Sequence, residues 1–103
     1  MRKNSPAALK QLRALGHKLK PVVIVAGNGL TDNVIAEIDG ALSRHELIKV
    51  KLAVGDRQKK QALAEEVCER TGAEIVQSIG NIILLLRRAA NPDPQLSNLL
   101  RLK

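Results

Sequence analysis

The chain has 103 residues, with 17 Lys and Arg against 10 Asp and Glu, a formal net charge of +7, and no Phe, Tyr or Trp. With 45% apolar residues it reads as one small basic domain with an aliphatic core, which excludes disorder throughout. Also excluded are aromatic base-stacking of the RNP-sheet or OB-fold kind, an internal disulfide framework, because Cys68 is alone, and a recognisable zinc spacing, because the two histidines are far apart.

Ser5 is placed to cap a helix that starts at Pro6. Ala8, Leu9, Leu12 and Leu15 then repeat at helical spacing until Gly16 offers a stop, and Lys10 and Arg13 face outward. A basic loop, Gly16-His17-Lys18-Leu19-Lys20, leads through Pro21 into Val22 to Ala26, a β-branched run that predicts a strand buried on both faces. After Gly27-Asn28-Gly29, Thr31 is a plausible N-cap for a second helix whose stripe is Val34, Ile35, Ile38, Ala41 and Leu42. From Leu47 to Val54 the period changes to two, setting Ile48, Val50, Leu52 and Val54 on one face and Lys49, Lys51 and Ala53 on the other. Gly55-Asp56 caps a third helix with Leu63, Ala64, Val67 and Cys68 inward and Gly72 as its stop. Two strands follow, near Glu74 to Ser78 and Ile82 to Arg87, joined across Gly80-Asn81 as an antiparallel hairpin.

The order α-β-α-β-α-β-β predicts an α/β (α+β two-layer) fold with a mixed four-stranded sheet. Residues 1–88 form the expected domain. Ala89-Ala90-Asn91-Pro92-Asp93-Pro94 breaks regular structure and sets residues 89–103 apart as a flexible C-terminal tail, in which Leu96, Leu99, Leu100 and Leu102 read either as a short docking turn or as disordered chain. The longest apolar runs are five residues, Val22 to Ala26 and Ile82 to Leu86, against about twenty for a membrane span. The basic N-terminus is followed by Lys10 and Arg13 rather than by a signal-peptide apolar region, so a cytoplasmic, reducing setting is expected.

Charge is segregated along the chain. Residues 1 to 20 carry Arg2, Lys3, Lys10, Arg13, Lys18 and Lys20 with no acid, and Lys49, Lys51, Arg57, Lys59 and Lys60 form a second cluster. Arg87 and Arg88 make a third, whereas Glu65, Glu66, Glu69 and Glu74 gather elsewhere. A phosphate-facing surface follows from the acid-free block, with plain solvation of the surface as the bland alternative. Gly27-Asn28-Gly29, between a strand and a helix, reads equally as a tight turn or as a seat where backbone amides meet a phosphate. It is neither a Walker loop nor a dinucleotide fingerprint, so no nucleotide cofactor is expected. His17 either donates to phosphate or completes a helix end, and Cys68 falls in the core. His45-Glu46 lies at a helix end without a partner for acid-base or metal chemistry, so neither an enzyme nor a metal site is expected.

Three ordered segments carry a resemblance: Leu19-Lys20-Pro21-Val22-Val23, Gly27-Asn28-Gly29-Leu30-Thr31, and His45-Glu46-Leu47-Ile48-Lys49-Val50-Lys51. Over about residues 5 to 88 the chain resembles the CRM domain in its stand-alone bacterial YhbY-type form. The resemblance implies a fold similar to the C-terminal domain of translation initiation factor three. It also implies RNA binding, with association to the precursor of the large ribosomal subunit during assembly. The family's Gly-x-x-Gly loop, likened to the KH backbone clamp, maps onto Ala26-Gly27-Asn28-Gly29, with Ala26 in place of the first glycine.

The expected RNA-contacting set is therefore Lys10, Arg13, His17, Lys18, Lys20, Ala26, Gly27, Asn28, Gly29, Thr31, Lys49, Lys51 and Arg87, on a monomer without cofactor. The alternative from a different class is a protein-docking assembly factor that uses the apolar tail or the acidic third-helix face to bind a ribosomal protein or GTPase.

Overall fold

The computed structural model describes residues 5–27 and 29–101. Its elements are α1 (Pro6–Gly16), β1 (Pro21–Val25), α2 (Asp32–His45), β2 (Leu47–Leu52), α3 (Arg57–Thr71), β3 (Glu74–Ile79), β4 (Ile82–Leu86) and a short α4 (Asn98–Arg101). The helix starts are those the sequence signals. Ser5 Oγ accepts from Ala8 N at 3.2 Å, Thr31 Oγ1 from Val34 N at 3.2 Å, and Asp56 Oδ1 from Gln58 N at 2.8 Å. Each satisfies an amide that its helix leaves without an internal partner.

The strands form one mixed sheet in the order β1-β2-β4-β3, with β1 parallel to β2 and the other neighbours antiparallel. Two cores lie on its two faces. The larger packs Ile38, Ala41 and Leu42 of α2 and Ala64 and Val67 of α3 against Val23, Val25, Ile48, Val50, Leu52, Ile83 and Leu85. The smaller packs Leu12 and Leu15 of α1 against Leu47, Val76, Leu84 and Leu86, with Leu99 from the C-terminal segment. Burying such side chains contributes about 1.5 to 3 kcal/mol each before the entropy of ordering them is counted.

The small core covers only one end of its face. β1 is consequently not buried on both sides as its β-branched run predicts: Val23 and Val25 are 5% and 0% exposed, but Val22 and Ile24 are 50% and 59% exposed. A continuous apolar run marks a doubly buried strand only where both faces are covered, and here α1 stops short of the β1 edge. β2 ends at Leu52 rather than Val54. Gly16 is also not a left-handed stop. It is the buried last residue of α1, and His17 caps the helix with right-handed angles. A Cβ at Gly16 would lie 2.6 Å from Leu84 Cδ2, so the residue is glycine because helix and sheet touch there.

The segment after β4 is held down rather than set apart, because Ser97, Asn98 and Leu99 are buried. The holding residues sit at the α2–β2 junction. Glu46, 3% exposed, accepts from Ala89 N at 2.6 Å through Oε2 and from Ser97 Oγ at 2.7 Å through Oε1. His45 Nδ1 lies 2.8 Å from Leu96 O, and Asn98 Nδ2 donates to Leu47 O at 2.6 Å. Leu99 thus completes the small core, Leu96 and Leu100 remain 39% and 40% exposed, and Leu102 lies outside the described residues.

Candidate nucleic-acid interface

On the outer side of α1, Lys10, Arg13 and His17 follow one another at intervals of three and four residues, which places them on a single stripe. The stripe runs down to the sheet. His17 lines a recess of about 180 Å³ with Pro21, Lys49, Gln77, Ile79, Ile82 and Leu84. A neighbouring recess of about 230 Å³ is lined by Lys18, Leu19, Lys20, Val22, His45, Ile48, Lys49 and Asn98. Lys49 belongs to both, so it joins the α1 stripe to the Lys18-Lys20 loop, and Lys51 stands two residues further along the same face. No acid lines either recess. Six of the ten acids, Asp32, Glu37, Asp39, Glu65, Glu66 and Glu69, ride on α2 and α3, which pack against the opposite side of the sheet. The fold therefore turns a linear excess of positive charge into a one-sided field.

The glycine loop lies at the far end of β1 from Lys18 and Lys20. Lys20 and Ala26 are six residues apart across an extended strand, about 20 Å. The loop is a closed turn, with Gly29 N donating to Ala26 O at 2.9 Å and Thr31 N to Gly29 O at 3.1 Å. Two of the amides counted on as phosphate donors are thus already used, and Thr31 Oγ1 is occupied by the helix cap. Gly29 sits at φ +74°, where an L side chain is strained. A Cβ on Gly27 would meet nothing within 4 Å among the described residues, so the fold itself makes no demand for glycine there. Asn28 lies outside the described residues. Behind the loop, a recess of about 610 Å³ reaches Ala53 to Asp56, Lys59, Ala62 and Leu63.

Arg87 is not brought to this surface. Its guanidinium donates to Asp39 Oδ1 at 2.5 Å, Thr71 O at 2.7 Å, Asp39 O at 2.9 Å and Ser43 Oγ at 2.8 Å, tying the end of β4 to α2 and the end of α3. A side chain committed to four acceptors is a structural tie, and Arg87 leaves the expected contact set on that ground. Arg70, which carries no motif, steadies the glycine loop instead. It donates to Leu30 O at 3.3 Å and to Asp32 Oδ1 at 3.2 Å, with Glu66 at 3.5 Å. Only its i, i+4 spacing from Glu66 is visible in the sequence. The tail surface of the docking alternative is reduced, since Leu99 is spent on the chain's own core. Among the described residues no three His, Cys, Asp or Glu side chains are grouped to hold a metal ion, and no helix is long and apolar enough to cross a membrane.

These features sit on a recognisable pattern, for residues 5–87 match the CRS1 / YhbY (CRM) domain. The chain belongs to that family. A Pseudomonas aeruginosa protein named a probable RNA-binding protein is 50% identical over 92 residues, covering 89% of this chain and 88% of its own length. A Haemophilus influenzae protein named RNA-binding protein is 48% identical over 85 residues, covering 82% and 86%. The solution structure of a hypothetical protein from Staphylococcus aureus superposes with a TM-score of 0.74 at 32% identity, covering 86% of this chain and 93% of that one. This CRM domain thus has the α-β-α-β-α-β-β order and mixed four-stranded sheet that its sequence predicts, with the short α4 added.

Proposed function

We propose that this CRM protein binds structured ribosomal RNA through the face built from Lys10, Arg13, His17, Lys18, Lys20, Lys49 and Lys51. The glycine loop at the other end of β1 makes a second point of backbone approach. The observation that carries the reading is the acid-free basic surface around the two recesses that share Lys49, in a family whose relatives are named for RNA binding. The target in this reading is the precursor of the large ribosomal subunit in the cytoplasm, bound by a monomer during assembly. Phosphate contacts supply affinity, and RNA shape and 2′-hydroxyls supply discrimination, because no aromatic platform exists.

The test is recovery of the tagged protein from growing cells under mild crosslinking, with and without RNase, followed by sequencing of the associated RNA. Enrichment of unprocessed large-subunit rRNA is the expected result. Protein partners that survive RNase, with no RNA enriched, would transfer the role to protein docking.

A further inference from the structure

Two rows of side chains cross all four strands on the face that α1 covers only in part. In the first, Ile24 pairs with Lys51, Lys51 with Ile82, and Ile82 with Ile79; in the second, Pro21 pairs with Lys49, Lys49 with Leu84, and Leu84 with Gln77. Residues in register share a face, and four strands at about 4.8 Å spacing make each row about 14 Å long. Neither row contains an acid. The outer row is apolar and uncovered at its two ends, with Ile24 and Ile79 each 59% exposed on the edge strands, Lys51 and the half-buried Ile82 between them, and Val22 beside Ile24 50% exposed. Exposed aliphatics interleaved with lysine on an otherwise acid-free face suit a partner that carries both apolar surface and negative charge.

We propose that this open half-sheet is a platform for unpaired RNA bases, with Lys49 and Lys51 taking the flanking phosphates. The proposal rests on the RNA-binding reading above and specifies which RNA it takes. Lys49 and Lys51 are two residues apart on one face, about 7 Å, within the reach of one extended nucleotide. A base set beside Lys51 lies on Ile82 and Ile24. A duplex offers its phosphate rim to a surface of this kind, which would press Ile24 and Ile79 against charged oxygens and strip their water without return. Unpaired bases instead offer flat, weakly hydrated faces that cover the aliphatic row. A second copy of the chain fits poorly, because a two-fold contact would bring Lys49 and Lys51 of both copies together on molecules that each carry +7. Charge selects a polyanion, and the apolar row selects one with exposed bases.

The experiment compares three probes by fluorescence anisotropy at fixed salt: a short unpaired RNA, the same strand lacking its bases, and a blunt RNA hairpin. Each is titrated against the full chain and against the double variant Ile24→Thr/Ile79→Thr, which keeps the β-branch and removes no charge. Circular dichroism melting checks the variant's fold. The variant is expected to lose about tenfold in affinity for the unpaired RNA and less than about twofold for the hairpin or the base-free strand, with its salt slope unchanged. As a second arm, Ile24→Phe is expected to strengthen binding to the unpaired strand alone by adding a stacking ring.

Equal losses on all three probes, or none, overturn the platform while leaving RNA binding intact, provided Lys20→Glu still weakens the complex. Wild-type protein that binds none of the probes overturns both readings. Sedimentation showing a dimer that the double variant abolishes overturns the platform in favour of self-association.

Discussion

Glu46 shows how much one residue can carry without touching a ligand. It is the non-glycine residue held at positive φ, +63°, among the described residues, and both of its carboxylate oxygens are used, on Ala89 N and Ser97 Oγ. The strained backbone ends α2 abruptly, so that β2 begins at the next residue, and the carboxylate fastens the C-terminal segment beside that junction. Glu46→Ala leaves two donors beside a cavity, and a loss of about 2 kcal/mol in denaturant-unfolding stability is expected. Glu46→Gln, which keeps one acceptor oxygen, should lose less.

Cys68 is the other residue with a distinct expectation. Burial pushes its thiol above the usual range, and the neighbouring carboxylates Glu65 and Glu74 push the same way. The folded chain therefore holds this proton more tightly than the unfolded chain, so stability falls as pH rises past the unfolded thiol's value near about 8.5. Cys68→Ala should remove that decline, which a comparison of unfolding curves at pH 7.5 and 9.5 measures as a smaller pH difference than in wild type.

At the scale of elements, the contact of α1 with the sheet is set by one missing side chain. Gly16 lets the last turn of the helix rest on Leu84, a residue 2% exposed and central to the small core. Gly16→Val should cost about 1 to 3 kcal/mol by overpacking, read as a lower urea midpoint with an unchanged slope. Shortening the neighbour in the pair Gly16→Val/Leu84→Ala should recover part of that loss. The sequence announces Gly16 only as a helix end, since close approach between elements distant in the chain leaves no local mark.

The same limit governs the rest of what could be read. Caps at Ser5, Thr31 and Asp56, the alternation of β2 and the hairpin at Gly80-Asn81 are local chemistry, and they appear where the sequence puts them. What covers each sheet face is not local. The exposure of Val22 and Ile24 depends on where α1 stops, and the role of Arg87 depends on Asp39 and Ser43 some 45 residues away. Of the expected contact residues, Lys18, Lys20, His17 and Lys49 do converge, because strand polarity already placed Lys49 opposite the core and the short loop limits where Lys18 and Lys20 can lie.

At the scale of the whole molecule, the sheet is a partition that keeps most acids on one side and the proposed RNA surface on the other. This arrangement makes salt dependence a diagnostic of place as well as of charge. Each phosphate neutralised by a lysine releases condensed counterions, so removing one such contact lowers the log-log salt slope by about 0.7 to 0.9. The triple variant Lys18→Gln/Lys20→Gln/Lys49→Gln removes the three cations around the shared recess, and its slope should fall by about 2 to 3. Arg87→Gln removes a charge already committed to Asp39 on the far side, so it should lower stability while leaving the slope where it was. Net charge alone would make each lost cation count alike, with Arg87→Gln weakening binding about as much as any one lysine change. A localised surface makes the lysines count and Arg87 not, and titration of one RNA at four salt concentrations separates the two.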